Sequence, residues 1–121
     1  MKESTIEAAL RRAVVHHGGL ALKFVSPGMA GVPDRLLLFP GGRMAFVEVK
    51  APGRKPRPLQ KYRFEQLKSL GFPVYVIDGK EQIESVISQI YESTFKGDPR
   101  RGQGGDRKAP LERSSDEVQP T

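Results

Sequence analysis

The stretch that decides the fold is Asp34–Lys50, "DRLLLFPGGRMAFVEVK". Two apolar runs, 34–39 and 43–50, flank a Pro-Gly-Gly turn, a pattern that predicts a β-hairpin. With Pro40-Gly41-Gly42 as a three-residue loop, Phe39 pairs with Arg43 and Asp34 lies directly opposite Glu48. A two-residue Gly41-Gly42 loop would shift the pairing by one and leave the two acids diagonal neighbours at best. In the direct register their Cβ atoms stand about 5 Å apart on one face. Two like charges at that distance repel by roughly 3 kcal/mol at an effective dielectric of about 20. Three things compensate such a pair: a raised carboxylate pKa, an adjacent cation such as Lys50, or a bound divalent metal. The competing possibility is an ordinary surface hairpin whose charges are solvated and pair weakly.

Outward from the hairpin, "STIEAALRRAVVHHGG" (4–19) predicts a helix with Ser4 as N-cap and Glu7 completing a capping box. Ile6, Leu10, Ala13 and Val14 form its apolar stripe. "LALKFV" (20–25) is a short strand, and "SPGMAGVP" a loop expected to be flexible and to face substrate. "APGRKPRP" (51–58) is too broken by proline and glycine for regular structure. "LQKYRFEQLKSLG" (59–71) predicts a second helix with Leu59, Tyr62, Phe64, Leu67 and Leu70 inward. "PVYVID" (73–78) is a strand, and "KEQIESVISQIYES" (80–93) a third helix with Ile83, Val86, Ile87 and Ile90 inward. The order α-β-β-β-α-β-α implies an α/β domain with a mixed sheet flanked by helices.

The 121 residues carry a formal charge of +6. From Lys96 onward six basic residues meet five acidic ones, so the excess lies upstream. Residues 50–68 hold Lys50, Arg54, Lys55, Arg57, Lys61, Arg63 and Lys68 against Glu65 alone, as expected of a phosphate-contacting segment. Residues 95–121 are poor in apolar side chains and are expected to be a disordered tail to a domain at 1–94. Without cysteine there is no disulfide or thiolate metal site. No apolar run approaches the length of a membrane span, and the N-terminus lacks a signal-peptide core, so a soluble cytoplasmic protein is expected. His16 and His17 have no third ligand near them in sequence, which argues against a histidine-based nuclease site. Arg35 points away from Asp34 in a regular strand and is assigned a structural role. Tyr62 is expected to be half-buried and Arg63 to lie on a solvated face.

The acids themselves suit a hard cation, which takes one or two carboxylates and keeps water or phosphate oxygens for the remainder. Lys50, two residues beyond Glu48, would orient or help deprotonate a water, or offset charge building on a phosphate.

"GVPDRLLLF" followed by "EVK", with thirteen residues between Asp34 and Glu48, resembles the PD-(D/E)XK nuclease signature. "SPGMAGVPDRLLL" and "FVEVKAPGRKPRPLQ" are similar to the VRR-NUC family within that restriction-endonuclease-like fold, over roughly residues 4–92. The resemblance implies that Asp34 and Glu48 bind Mg²⁺ or Mn²⁺ with the Val49 backbone carbonyl, that Lys50 is the catalytic lysine, and that Gln60 assists at the site. It also brings Glu7 of the first helix to the metal, although the capping box accounts for Glu7 equally well. Arg54, Lys55, Arg57, Lys61 and Arg63 become candidate DNA contacts. The implied activity is a metal-dependent DNA endonuclease of a bacterial or phage-infected cell. It would be selective for branched DNA such as four-way junctions and act as a homodimer. The alternatives are a non-catalytic DNA-binding or assembly subunit, which the intact Asp34, Glu48 and Lys50 oppose, and a sequence-specific restriction-type enzyme.

Overall fold

In the computed structural model, which describes residues 1–96, the elements follow the expected order. They are α1 (Glu3–His16), β1 (Leu20–Lys23), β2 (Arg35–Phe39), β3 (Arg43–Val49), α2 (Pro58–Ser69), β4 (Val74–Ile77) and α3 (Ile83–Lys96). Short 3₁₀ turns occupy Pro40–Gly42 and Lys80–Gln82. Met1–Tyr91 forms one unit, and from Glu92 the described residues continue α3. The tail expected at 95–121 falls, beyond Lys96, outside the described residues.

The sheet order is β1-β2-β3-β4, antiparallel except for the parallel β3–β4 pair across the α2 crossover. Pro40-Gly41-Gly42 is a three-residue turn, with Gly41 and Gly42 at φ 85° and 78°, a region glycine adopts without steric cost. It sets the β2–β3 register at Phe39↔Arg43 through Arg35↔Val47, the direct pairing predicted from the loop length.

Alternation along the strands makes two apolar layers. Leu37, Phe39, Ala45, Val47, Val49 and Ile77 pack with Ile6, Leu10 and Val14 of α1 and Ile83, Val86, Ile87 and Ile90 of α3. The inward stripes read for the first and third helices are therefore present. On the other face, Phe46 and Val74 pack with Phe64 of α2, and Phe24, Leu36, Met44 and Leu67 surround them. This smaller layer leaves room beside it for polar groups at the end of β3.

Two local expectations are corrected. Lys2, not Ser4, precedes α1, and no side chain caps that helix. Glu7 is bonded instead to Arg35 Nε at 2.8 Å, a charge-assisted contact. On α2, Leu59, Tyr62 and Leu70 are exposed, and the inward stripe is Gln60, Phe64 and Leu67.

Candidate active site

The β2–β3 ladder ends at Arg35↔Val47, while Glu48 and Val49 pair onward only with Val76 and Ile77 of β4. The sheet splays at this point. The Asp34 N–H, which has no ladder partner on β3, donates to Glu48 Oε1 at 3.2 Å. The Asp34 carbonyl accepts from Phe24 N at 2.9 Å, so the backbone of Asp34 is held from both sides. Asp34 therefore meets Glu48 across the hairpin.

Glu48 is 5% exposed and satisfied on every side. Its Oε2 accepts from Gln60 Nε2 at 3.0 Å and lies 3.2 Å from Lys50 Nζ. Gln60 Oε1 in turn accepts from Arg57 N at 2.9 Å, capping the first turn of α2. One amide thus ties the helix start to the buried carboxylate, which explains a glutamine in a core position. The Lys50 N–H is bonded to Ile77 O at 2.8 Å, fixing the strand end that carries the lysine. Val49 lies between the two charged residues with its side chain buried in the opposite layer.

Asp34 is not satisfied in this way. Its Oδ1 is buried and has no hydrogen-bond partner. Burial first, then the charges of Glu48 and Glu7, push its carboxyl up from 3.8 to about 6, with Arg35 pulling in the opposite direction. Two of the three compensations considered for facing carboxylates are therefore present: a raised pKa on Asp34 and an ammonium on Glu48.

Asp34, Glu48, Lys50 and Gln60 come together, but Glu7 does not join them. Its field acts on Asp34, yet its Oε2 is bonded to Arg35 Nε. Among the described residues no group of three His, Cys, Asp or Glu side chains is placed to hold a metal. The donors on hand for an ion are thus two carboxylates and backbone oxygen. That all-oxygen set with an unpartnered buried Asp34 Oδ1 fits a hard divalent cation.

Lys50 opens into a pocket of about 170 Å³ lined also by Glu3, Ala51, Arg54, Lys55 and Arg57. No ion pair among the described residues occupies Arg54, Lys55, Arg57 or Lys61. Arg63 is differently placed: on a half-exposed face it donates to Ala30 O and to Gln66 Oε1, both at 2.9 Å, pinning the 26–33 loop to α2. Two further residues went unread in the sequence. Glu3, one turn before Glu7, lines the basic pocket, and the i, i+4 spacing of the two acids was the available signal. Asp78 accepts from Gly53 N at 3.3 Å and is itself held twice by Gln82 at 2.8 Å, anchoring the turn that carries Arg54 and Lys55.

A VRR-NUC domain model matches residues 1–81. A protein named "Putative nuclease p44" from Acyrthosiphon pisum secondary endosymbiont phage 1 is 48% identical over 90 residues, which span 74% of this chain and 96% of that protein. A solved structure described as a VRR_NUC domain superposes with a TM-score of 0.68 at 30% identity, covering 73% of this chain and 96% of its own. No helix among the described residues is long and apolar enough to cross a membrane. With the family model matched over most of the chain and the fold shared with a solved member, the chain belongs to the VRR-NUC family.

Proposed function

We propose that the chain is an endonuclease that hydrolyses DNA phosphodiester bonds at Asp34, Glu48 and Lys50 with a bound Mg²⁺ or Mn²⁺. The observation that carries this reading is the facing of Asp34 and Glu48 with Asp34 Oδ1 left buried and unpartnered. A buried carboxylate oxygen without a donor is costly and calls for a partner such as a water or an ion. Asp34, Glu48 and the Val49 carbonyl would hold the ion, and Glu7 would join them. Bound there, a divalent ion supplies Lewis-acid polarisation of the phosphate and makes a nearby water more acidic.

The chain's own residues do the rest. Lys50, held 3.2 Å from Glu48, directs its ammonium toward the charge that builds on the phosphate oxygens, or takes part in moving the proton of the attacking water. Gln60 keeps Glu48 in place through its two bonds. Arg54, Lys55, Arg57 and Lys61 grip neighbouring phosphates, while Arg63 both contributes charge and holds the loop before Asp34. Among the described residues no element is left over to read bases in a groove, which favours selection by DNA structure, as at a four-way junction, over selection by sequence. One site per chain requires two copies to cut two strands, so a C2 homodimer suits a symmetric junction. The similarity to a phage protein named as a nuclease supports action in the cytoplasm of a bacterial or phage-infected cell.

The test uses labelled four-way junction, flap and linear duplex DNA with Mg²⁺, Mn²⁺ or EDTA. Metal-dependent cleavage of branched DNA, abolished by Lys50→Ala, is expected. Cleavage that persists in EDTA or in Lys50→Ala overturns the mechanism, and equal cutting of linear duplex overturns the branch preference alone.

A further inference from the structure

Beside the Asp34–Glu48 site, α2 presents a face that neither core layer uses. Leu59 and Tyr62, three apart on the helix, are 45% and 59% exposed, and Met29 of the preceding loop is 45% exposed. The loop is fastened to this face. Arg63 bonds Ala30 O, and Gly31, at φ 89°, lies so close to α2 that a Cβ there would sit 2.9 Å from Leu59 Cγ and 3.1 Å from Arg63 Cγ. Arg63 also lies over the Tyr62 ring, 5.4 Å from its centroid, and orients it. An exposed aromatic backed by a cation, with Leu59 three residues before it on the helix and a loop pinned alongside, is a poor choice for a surface left only to water.

The position of this shelf relates it to the site. Gly31, packed against Leu59, is followed three residues later by Asp34, while Gln60 on another face of the same helix reaches inward to Glu48. On the other side of Gln60, Arg57 leads into the basic pocket around Lys50. Lys61 is exposed beside Tyr62 with no ion-pair partner among the described residues.

We infer that Met29, Leu59 and Tyr62 form a stacking shelf for an unpaired nucleobase of the DNA strand whose phosphate lies at Asp34 and Glu48. This rests on the nuclease reading and adds to it the feature of the DNA that is recognised. Bases within a duplex are stacked on one another and offer no free face. A base at a branch point, flap or bulge offers one, and an aromatic ring takes it without regard to sequence. The cationic surround matches the phosphates on either side of such a base. Branch selectivity then arises from a local contact made by each chain, in addition to any symmetry between two chains.

The chain has no tryptophan and three tyrosines, of which Tyr62 is the most exposed and Tyr75 and Tyr91 are half-buried, so the emission lost in Tyr62→Phe identifies the part that reports on the shelf. The full chain is titrated in EDTA with a short oligothymidylate and with a fully paired duplex of equal length. Saturation with oligothymidylate is expected to quench the emission more than saturation with duplex. In Tyr62→Ala the preference for unpaired over paired DNA is expected to fall about tenfold, and Tyr62→Phe is expected to retain it. Unquenched emission at saturation, or equal weakening of both DNAs in Tyr62→Ala, overturns the shelf while leaving the nuclease reading standing. A change in self-association on Tyr62→Ala with unchanged DNA preference assigns the face to a second copy and overturns it likewise. Absence of binding to either DNA both in EDTA and with Ca²⁺ in place of Mg²⁺ overturns the nuclease reading and the shelf together.

Discussion

Replacing Asp34 with asparagine separates what the site costs the fold from what it does. In the folded protein the Asp34 carboxyl is pushed up from 3.8 to about 6, by burial first and by Glu48 and Glu7 next. Each pKa unit corresponds to about 1.4 kcal/mol, so the full shift is worth roughly 3 kcal/mol. Asp34 is only half-buried, and solvent screening reduces that to about 1–2 kcal/mol. The sign follows from proton uptake. Between about pH 4 and pH 6 the folded protein keeps a proton that the unfolded chain has lost, so stability falls as pH rises through this window and levels off above it. Asparagine, neutral throughout, removes the cost. In EDTA at pH 8, Asp34→Asn is expected to be more stable than the parent by about 1–2 kcal/mol, with little difference at pH 4. For a domain of this size that is a rise in Tm of roughly 4–16 °C. Thermal unfolding followed by circular dichroism at the two pH values, with EDTA present, measures it. A variant no more stable than the parent at pH 8 refutes the conclusion that Asp34 is held at an electrostatic cost, and with it the physical case for a ligand there.

Glu48→Ala strips partners from Asp34 N, Gln60 Nε2 and Lys50 Nζ, and is expected to lose about 2–4 kcal/mol in urea unfolding even with metal absent. Gln60→Leu fills the same buried space but breaks both the cap on α2 and the contact to Glu48; a loss of about 1–2 kcal/mol and a lower kcat are expected from unfolding curves and single-turnover cleavage. Leu37→Ala, at the fully buried centre of the α1/α3 layer, is expected to cost about 2–5 kcal/mol. Removing Arg54, Lys55 or Arg57 singly is expected to lower the slope of log affinity for DNA against log salt by about 1, as measured by fluorescence anisotropy.

The hairpin was legible from its apolar runs and glycine turn, but its register was open between a two-residue and a three-residue loop; the three-residue turn sets the register that brings Asp34 against Glu48. The helices that face the larger layer were legible from their stripes, since Ile6, Leu10 and Val14, like Ile83, Val86, Ile87 and Ile90, repeat at helical spacing without interruption. The second helix was misphased because a polar residue occupies one of its inward positions. Gln60 is buried to serve Glu48, so hydrophobicity alone rotates the stripe toward Leu59 and Tyr62, which are exposed. Glu7 was ambiguous for a different reason: a capping box is judged within one turn of chain, whereas its actual partner, Arg35, is 28 residues away. The bond from Gly53 N to Asp78 spans 25 residues and leaves no local pattern to find, although the Asp78–Gln82 pair that supports it lies within one turn of chain.

If Asp34 and Glu48 face each other to hold a divalent ion, the chain binds that ion without DNA. Titration of Mn²⁺ into the metal-free chain, followed by calorimetry with electron paramagnetic resonance of the free ion, tests it without relying on cleavage. Saturable binding by the parent chain that weakens at least tenfold in both Asp34→Asn and Glu48→Gln is the expected result. Mn²⁺ binding of equal strength in the parent and the two variants, or none in the parent, contradicts it.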